Sequence, residues 1–118
     1  MSTILIVDDD PRFRAQARDV LAADGFVVIG EAVDGTSGLE AAQALQPDFV
    51  LLDIGLPDID GFEVATALAV NGPPPLVVLT SSRDARAYGR RLTNGHVLGF
   101  IPKERISGSV IRALLDRP

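Results

Sequence analysis

Five short apolar runs recur along the chain: "ILIV" (4–7), "FVVIG" (26–30), "FVLLD" (49–53), "LVVLT" (76–80) and "LGFIP" (98–102). They are continuous rather than alternating in polarity, the pattern of strands covered on both faces. Between them the apolar positions fall near the 3.6-residue spacing of a helix face. Phe13, Ala17, Val20 and Leu21 mark a first helix, with Asp10 placed to cap it, Pro11 at its first position and Gly25 to stop it. A second helix is predicted from Thr36 to about Gln46 with Leu39, Ala42 and Leu45 inward, and a third over "GFEVATALAV", ended by Asn71, Gly72 and three prolines. The fourth, near Ala85 to Thr93, carries Tyr88 and Leu92; the fifth uses Val110, Ile111, Leu114 and Leu115. Strict alternation of strand and helix with right-handed crossovers predicts a doubly wound (βα)5 chain of class α/β: a parallel sheet with helices on both faces.

At 118 residues, 47% hydrophobic and a mean hydropathy of +0.24, the chain has the size of one domain, predicted to span 1–118. No apolar run reaches the roughly 18 to 20 residues needed to cross a bilayer, and Met1 leads into the first strand without a signal-type segment. A cytoplasmic location is the expectation, with no membrane partner. Cysteine is absent, which removes disulfides, thiolate catalysis and thiolate zinc sites. The net charge of -5 hides an asymmetry: residues 1–63 hold thirteen acidic and three basic residues, and the remainder balances at +5. A uniformly basic nucleic-acid binder is therefore not expected.

In a sheet of this kind ligands bind beyond the carboxyl ends of the strands. The sequence puts Asp8 and Asp9 after the first strand, Asp53 at the close of the third, Thr80 at the close of the fourth and Lys103 after the fifth. Two carboxylates 4 Å apart repel by roughly 4 kcal/mol at an effective dielectric of about 20. A hard cation with oxygen ligands, Mg²⁺ above all, would relieve that repulsion. Lys103, the only lysine among eleven basic residues, would relieve more of it, as a compact ammonium suited to a single buried anion.

"ILIVDDD", "VLLDIGLPDIDGFE", "VVLTSS" and "GFIPK", in this order and at these separations, resemble the receiver domain of bacterial two-component response regulators, over essentially the whole chain. The resemblance implies a flavodoxin-like fold with strand order 2-1-3-4-5. It implies a signalling phosphoacceptor domain rather than an enzyme, one that assists its own phosphorylation and dephosphorylation. Asp53 is then the phosphoacceptor, taking a phosphoryl group from a phosphohistidine on a sensor histidine kinase. Asp9 and Asp53 become ligands of Mg²⁺ (or Mn²⁺), joined by the main-chain carbonyl of Gly55, with Asp8 acting through water. Thr80 resembles the hydroxyl that bonds one phosphoryl oxygen, and Lys103 the ammonium that pairs with another. Phe100 aligns with the aromatic switch: Thr80 would move toward the phosphoryl group and the ring would turn inward, altering the surface of helix four, strand five and helix five. Being Phe and not Tyr, the ring carries no hydroxyl.

The ending "GFIPKERISGSVIRALL" resembles receivers that precede LuxR-like helix-turn-helix domains, so transcription is the expected output. DNA would then be bound through an effector domain beyond this chain and not by this domain. Arg83, Arg86, Arg90, Arg91 and Arg112 are candidates for homodimer contacts on the switch surface. Two positions, Glu104 and Gly55, depart from the commonest pattern, and Ser81 keeps to it. Glu104 stands after Lys103, where a proline is frequent; Ser81 is small and keeps the site open; Gly55, two past Asp53, has no side chain to shield a phosphoryl group. Asp10, Asp58 and Asp60 read as turn and capping residues, and His96 has no partner spaced for a catalytic role. Two alternatives stand beside the phosphoacceptor: a receiver-like interaction module that works without phosphorylation, and a metal-dependent phosphatase with an aspartyl nucleophile. The phosphatase reading lacks a second Asp two residues after Asp53.

Overall fold

The computed structural model describes residues 2–70, 72–83 and 97–115. Along the chain run β1 (Thr3–Val7), α1 (Pro11–Ala23), β2 (Val27–Ala32), α2 (Gly35–Leu45), β3 (Phe49–Asp53), α3 (Gly61–Val70), β4 (Leu76–Ser81), β5 (Gly99–Pro102), a 3₁₀ turn (Lys103–Arg105) and α4 (Gly108–Leu115). The last of these is the fifth helix predicted from sequence. The predicted fourth helix, with Tyr88, Leu92, Arg86, Arg90 and Arg91, and the loop residue His96 lie outside the described residues.

All strand pairings are parallel, in the order β2-β1-β3-β4-β5, which is the order the resemblance implied. Because side chains alternate across a strand, each central strand supplies two cores. Leu5, Val7, Val50, Leu52, Val77 and Leu79 pack with Ala42 of α2 and Val64, Ala65 and Leu68 of α3. Ile4, Ile6, Phe49, Leu51, Val78 and Ile101 pack with Phe13, Ala17 and Leu21 of α1 and Ile111 and Leu114 of α4. The continuous apolar runs of β1, β3 and β4 thus report burial on both faces.

The edge strand β2 departs from that expectation. It begins at Val27, half-exposed, and runs on to Ala32, which a one-residue register shift between Ile4 and Leu5 of β1 places opposite Val7. Leu45, predicted inward, is 43% exposed: it sits at the end of α2 over Gly30 of this edge strand, where no further strand covers it. Val110 is likewise 38% exposed, since Ile111 and Leu114 occupy the inward stripe of α4.

Helix ends follow the sequence closely. The Arg12 N–H donates to Asp10 Oδ1 at 2.9 Å and Pro11 fills the first position of α1. Asp60 caps α3 through the Glu63 N–H at 3.0 Å. Asp58 caps a helix distant in sequence: its carboxylate accepts from the Gly35 N–H, the Thr36 N–H and Thr36 Oγ1, each at 2.8 Å, tying the β3–α3 loop to the start of α2. Those bonds hold the Asp58 pKa well below the usual carboxylate range.

Candidate functional site

The sheet delivers four strand ends to one edge. Asp53 closes β3 directly opposite Thr80 in the β3–β4 register, and Thr80 stands opposite Ile101, two residues before Lys103. Asp8 and Asp9 follow β1, the other neighbour of β3. Asp8, Asp53, Thr80 and Ser81 are buried polar residues, with Asp8 only 1% exposed, while Asp9 opens to solvent. Carboxylate oxygens of Asp8, Asp9 and Asp53 lie within 4.8 Å of one another.

Lys103 reaches into this cluster. Its Nζ stands 2.7 Å from Asp8 Oδ2 and 3.5 Å from Asp53 Oδ2, and 4.8 Å from the centre of the Phe13 ring. Asp8 Oδ1 accepts from the Asp10 N–H at 2.8 Å, and Asp53 Oδ1 from the Gly55 N–H at 3.1 Å. One ammonium does not balance three carboxylates. Burial, and after it the charge of Asp8, raises the Asp53 pKa above its ordinary value, against the pull of Lys103 and the Gly55 N–H. Burial works against the charged form of Lys103 too, but its hydrogen bond to Asp8 and the charges of Asp53 and Asp8 outweigh it, and the Lys103 pKa is raised.

Two observations test whether a cation and an oxyanion fit. The donors offered are three carboxylates, one of them solvent-facing, which is the all-oxygen set a hard, partly hydrated dication takes. Thr80 Oγ1 is buried and makes no hydrogen bond among the described residues, a cost usually avoided unless a partner is to arrive. Asp8 Oδ2 has the Lys103 ion pair but is otherwise without a hydrogen bond there. The residues fit both groups.

The other expected participants lie at different distances from this cluster. Gly55 is exposed, and a Cβ built on it would stand 3.9 Å from Asp53 Oδ1, so the position has room for a side chain. Phe100 is half-buried on β5, paired with Leu79 and packed against the core on the α2 and α3 side. Arg112 is engaged within the chain: its Nε lies 2.5 Å from Asp24 Oδ2, its Nη2 bonds the Asp24 carbonyl, and its guanidinium stacks 4.7 Å from the Phe26 centroid.

Sequence reasoning missed two residues of this site. Gly61 opens α3 with its backbone pressed onto β3: a Cβ there would come within 2.6 Å of the Asp53 carbonyl oxygen and 2.7 Å of Ile54 Cα. The Gly61 N–H donates to the Ile54 carbonyl at 2.9 Å. The glycine in "DIDGFE" was the available signal. Arg14 donates from Nη1 to the Asp8 carbonyl at 2.7 Å, a contact across one turn of α1 that nothing in the local sequence announces.

A parallel 2-1-3-4-5 sheet with an acidic cluster, an ammonium and a buried hydroxyl at its carboxyl edge defines a class of signalling domain. The family model described as the response regulator receiver domain matches residues 4–115, and the chain belongs to that family. BvgA of Bordetella pertussis, named as a positive transcription regulator of virulence factors, is 37% identical over 110 residues, 93% of this chain and 53% of BvgA. The chain spans about half the length of the curated relatives it matches. The signal receiver domain of NarL from Mycobacterium tuberculosis superposes with a TM-score of 0.86 at 31% identity, covering 98% of each chain. A CheY-like receiver from Methanospirillum hungatei shares the fold, with a TM-score of 0.81 at 20% identity over 98% of this chain and 90% of that one. Among the described residues no helix is long and apolar enough to cross a membrane.

Proposed function

We propose that Asp53 accepts a phosphoryl group from a phosphohistidine of a sensor histidine kinase, with a divalent cation held by Asp9, Asp53 and the Gly55 carbonyl and by Asp8 through water. An Asp53 carboxylate oxygen attacks phosphorus, the phosphorus–nitrogen bond of the donor breaks, and the imidazole leaves. Such transfer has a loose transition state that needs alignment and charge neutralisation more than covalent help. Bound Mg²⁺ or Mn²⁺ would supply neutralisation of the carboxylates and of the incoming phosphoryl oxygens. Lys103 pairs with one phosphoryl oxygen and Thr80 donates its hydroxyl to another.

The observation that carries this reading is the hydroxyl of buried Thr80, without a hydrogen bond among the described residues, in direct register with Asp53 and on the strand next to the one that delivers Lys103. A buried hydroxyl in a purely structural role is ordinarily hydrogen-bonded. Movement of Thr80 toward the phosphoryl group, with Phe100 following, would alter the surface of the predicted fourth helix, β5 and α4, and that surface would carry a homodimer. The transcription regulators among the relatives support control of transcription as the output, through a DNA-binding domain outside this chain. Incubation with Mg²⁺ and a small phosphodonor such as acetyl phosphate, followed by intact mass, tests the reading. A single phosphoryl adduct on the wild type, absent from Asp53→Asn and without Mg²⁺, is expected; an equal adduct on Asp53→Asn would put the acceptor at another residue, and no adduct would leave the chain as a phosphorylation-independent interaction module.

A further inference from the structure

Arg14 stands in the first helix, one turn beyond the acidic triplet, and its guanidinium does two things at once. Nη1 donates to the Asp8 carbonyl at 2.7 Å, and Nε pairs with Glu31 Oε1 of β2 at 3.1 Å. Glu31 is itself held from the other side by Arg18, whose Nε donates to Oε2 at 2.8 Å. The Arg14 side chain is largely covered, at 16% exposure against 44% for Arg18.

We infer that Arg14 is a positioning residue for the metal-binding aspartates, fixing the peptide plane between Asp8 and Asp9 with Glu31 as its anchor. The inference rests on the proposed cation site. The Asp8 N–H is already tied to the Ala32 carbonyl at 3.0 Å and its side chain to Asp10 and Lys103. Within the turn that the Asp10 N–H closes over Asp9, the Asp8 carbonyl is held by Arg14. The peptide between Asp8 and Asp9 is planar, so the direction of the Asp8 carbonyl also sets the direction in which the chain enters Asp9. Asp9 is exposed, with no packing to aim it. The guanidinium bonds the carbonyl and the carboxylate through two separate nitrogens held in one plane; a lysine would have to reach both acceptors from a single nitrogen.

Charge alone makes the opposite forecast. A guanidinium near a dication repels it, so losing Arg14 should tighten cation binding if charge were its only influence. Losing a positioning contact should weaken it. The two accounts differ in sign.

The test is Mn²⁺ binding to the full chain at fixed ionic strength, read as free Mn²⁺ by electron paramagnetic resonance, below the melting temperature of each variant. Arg14→Gln and Arg14→Lys are each expected to weaken binding about tenfold, the low end for a contact behind the ligands because water fills part of the coordination shell. Arg18→Gln, which removes the same charge from the same glutamate, is expected to bind as the wild type or slightly tighter. Should Arg14→Gln fail to fold, Arg14→Lys and Glu31→Gln carry the comparison. Binding by Arg14→Lys as tight as wild type, or an equal loss in Arg18→Gln, would overturn the inference. No Mn²⁺ binding by the wild type would overturn the cation site itself, and the inference with it.

Discussion

The Lys103 ammonium lies 2.7 Å from Asp8 Oδ2, nearer than its 3.5 Å approach to Asp53 Oδ2. Without a cation, the site lysine is therefore first the counter-charge of the most deeply buried carboxylate. Its removal should do more than slow phosphoryl transfer. Lys103→Met leaves Asp8 buried and without its cationic partner, and should cost about 2 kcal/mol of stability, below the range for fully buried pairs because Lys103 is partly solvated. Urea unfolding in the absence of metal measures this. Saturating Mg²⁺ should recover more stability in Lys103→Met than it adds to the wild type.

Asp53 carries the opposite linkage. In the unfolded chain an aspartate ionises near 3.9. In the native protein burial and Asp8 keep its proton to higher pH. The native state thus binds more protons through that interval, and stability falls as pH rises from the unfolded value through the native one. Asp53→Asn removes this penalty. In metal-free buffer it should melt like the wild type below about pH 4 and above it at pH 7. Thermal melts across that range check the sign, and a lower midpoint for Asp53→Asn at pH 7 would contradict it.

Gly61 sets the position of the acceptor by contact with its backbone. Because the atoms a Cβ would meet are the Asp53 carbonyl oxygen and Ile54 Cα, not the end of a flexible side chain, Gly61→Ala must move α3 or β3. Destabilisation of roughly 2–3 kcal/mol is expected, with slower phosphoryl uptake from acetyl phosphate in the folded fraction. Gly72→Ala is the control: its φ of +109° strains any side chain, but no atom of the described residues beyond its chain neighbours lies within 4 Å of the added Cβ. It should cost about 1 kcal/mol and leave uptake unchanged.

Gly55 leaves the acceptor open on the solvent side. Gly55→Asn can be accommodated, given the 3.9 Å between an added Cβ and Asp53 Oδ1, and it places an amide where water would approach. The decay rate of the aspartyl phosphate should change with stability preserved. An unaltered rate would show that solvent access at this position does not set the lifetime.

The strand ends were legible because an unbroken apolar run such as Phe49 to Leu52 has one reading in an alternating chain, and parallel strands deliver all their carboxyl ends to one edge. That is why Asp8, Asp9, Asp53, Thr80 and Lys103 could be grouped before any coordinate. Periodicity gave the inward direction of α2 but not the width of the sheet beneath it, so Leu45 stands half outside at the edge strand, while Val110 is exposed because Ile111 and Leu114 take the inward stripe of α4. Asp58 read as a cap, but its helix is α2, more than twenty residues back, and only the tertiary fold joins them. Gly61 against Asp53 was announced only by its being a glycine, without naming the backbone it meets, and Arg14 against the Asp8 carbonyl is a contact that residue type does not encode.

The central claim is that Asp8, Asp9 and Asp53 together hold a divalent cation so that Asp53 can take a phosphoryl group. Carbon-detected nuclear magnetic resonance of the aspartate carboxyls during a Mg²⁺ titration tests it most directly. Asp8, Asp9 and Asp53 should shift together along one saturable curve, while Asp58 and Asp60 stay still. Carboxyl signals of the three that ignore Mg²⁺, or that move no more than those of the capping aspartates, would contradict the account.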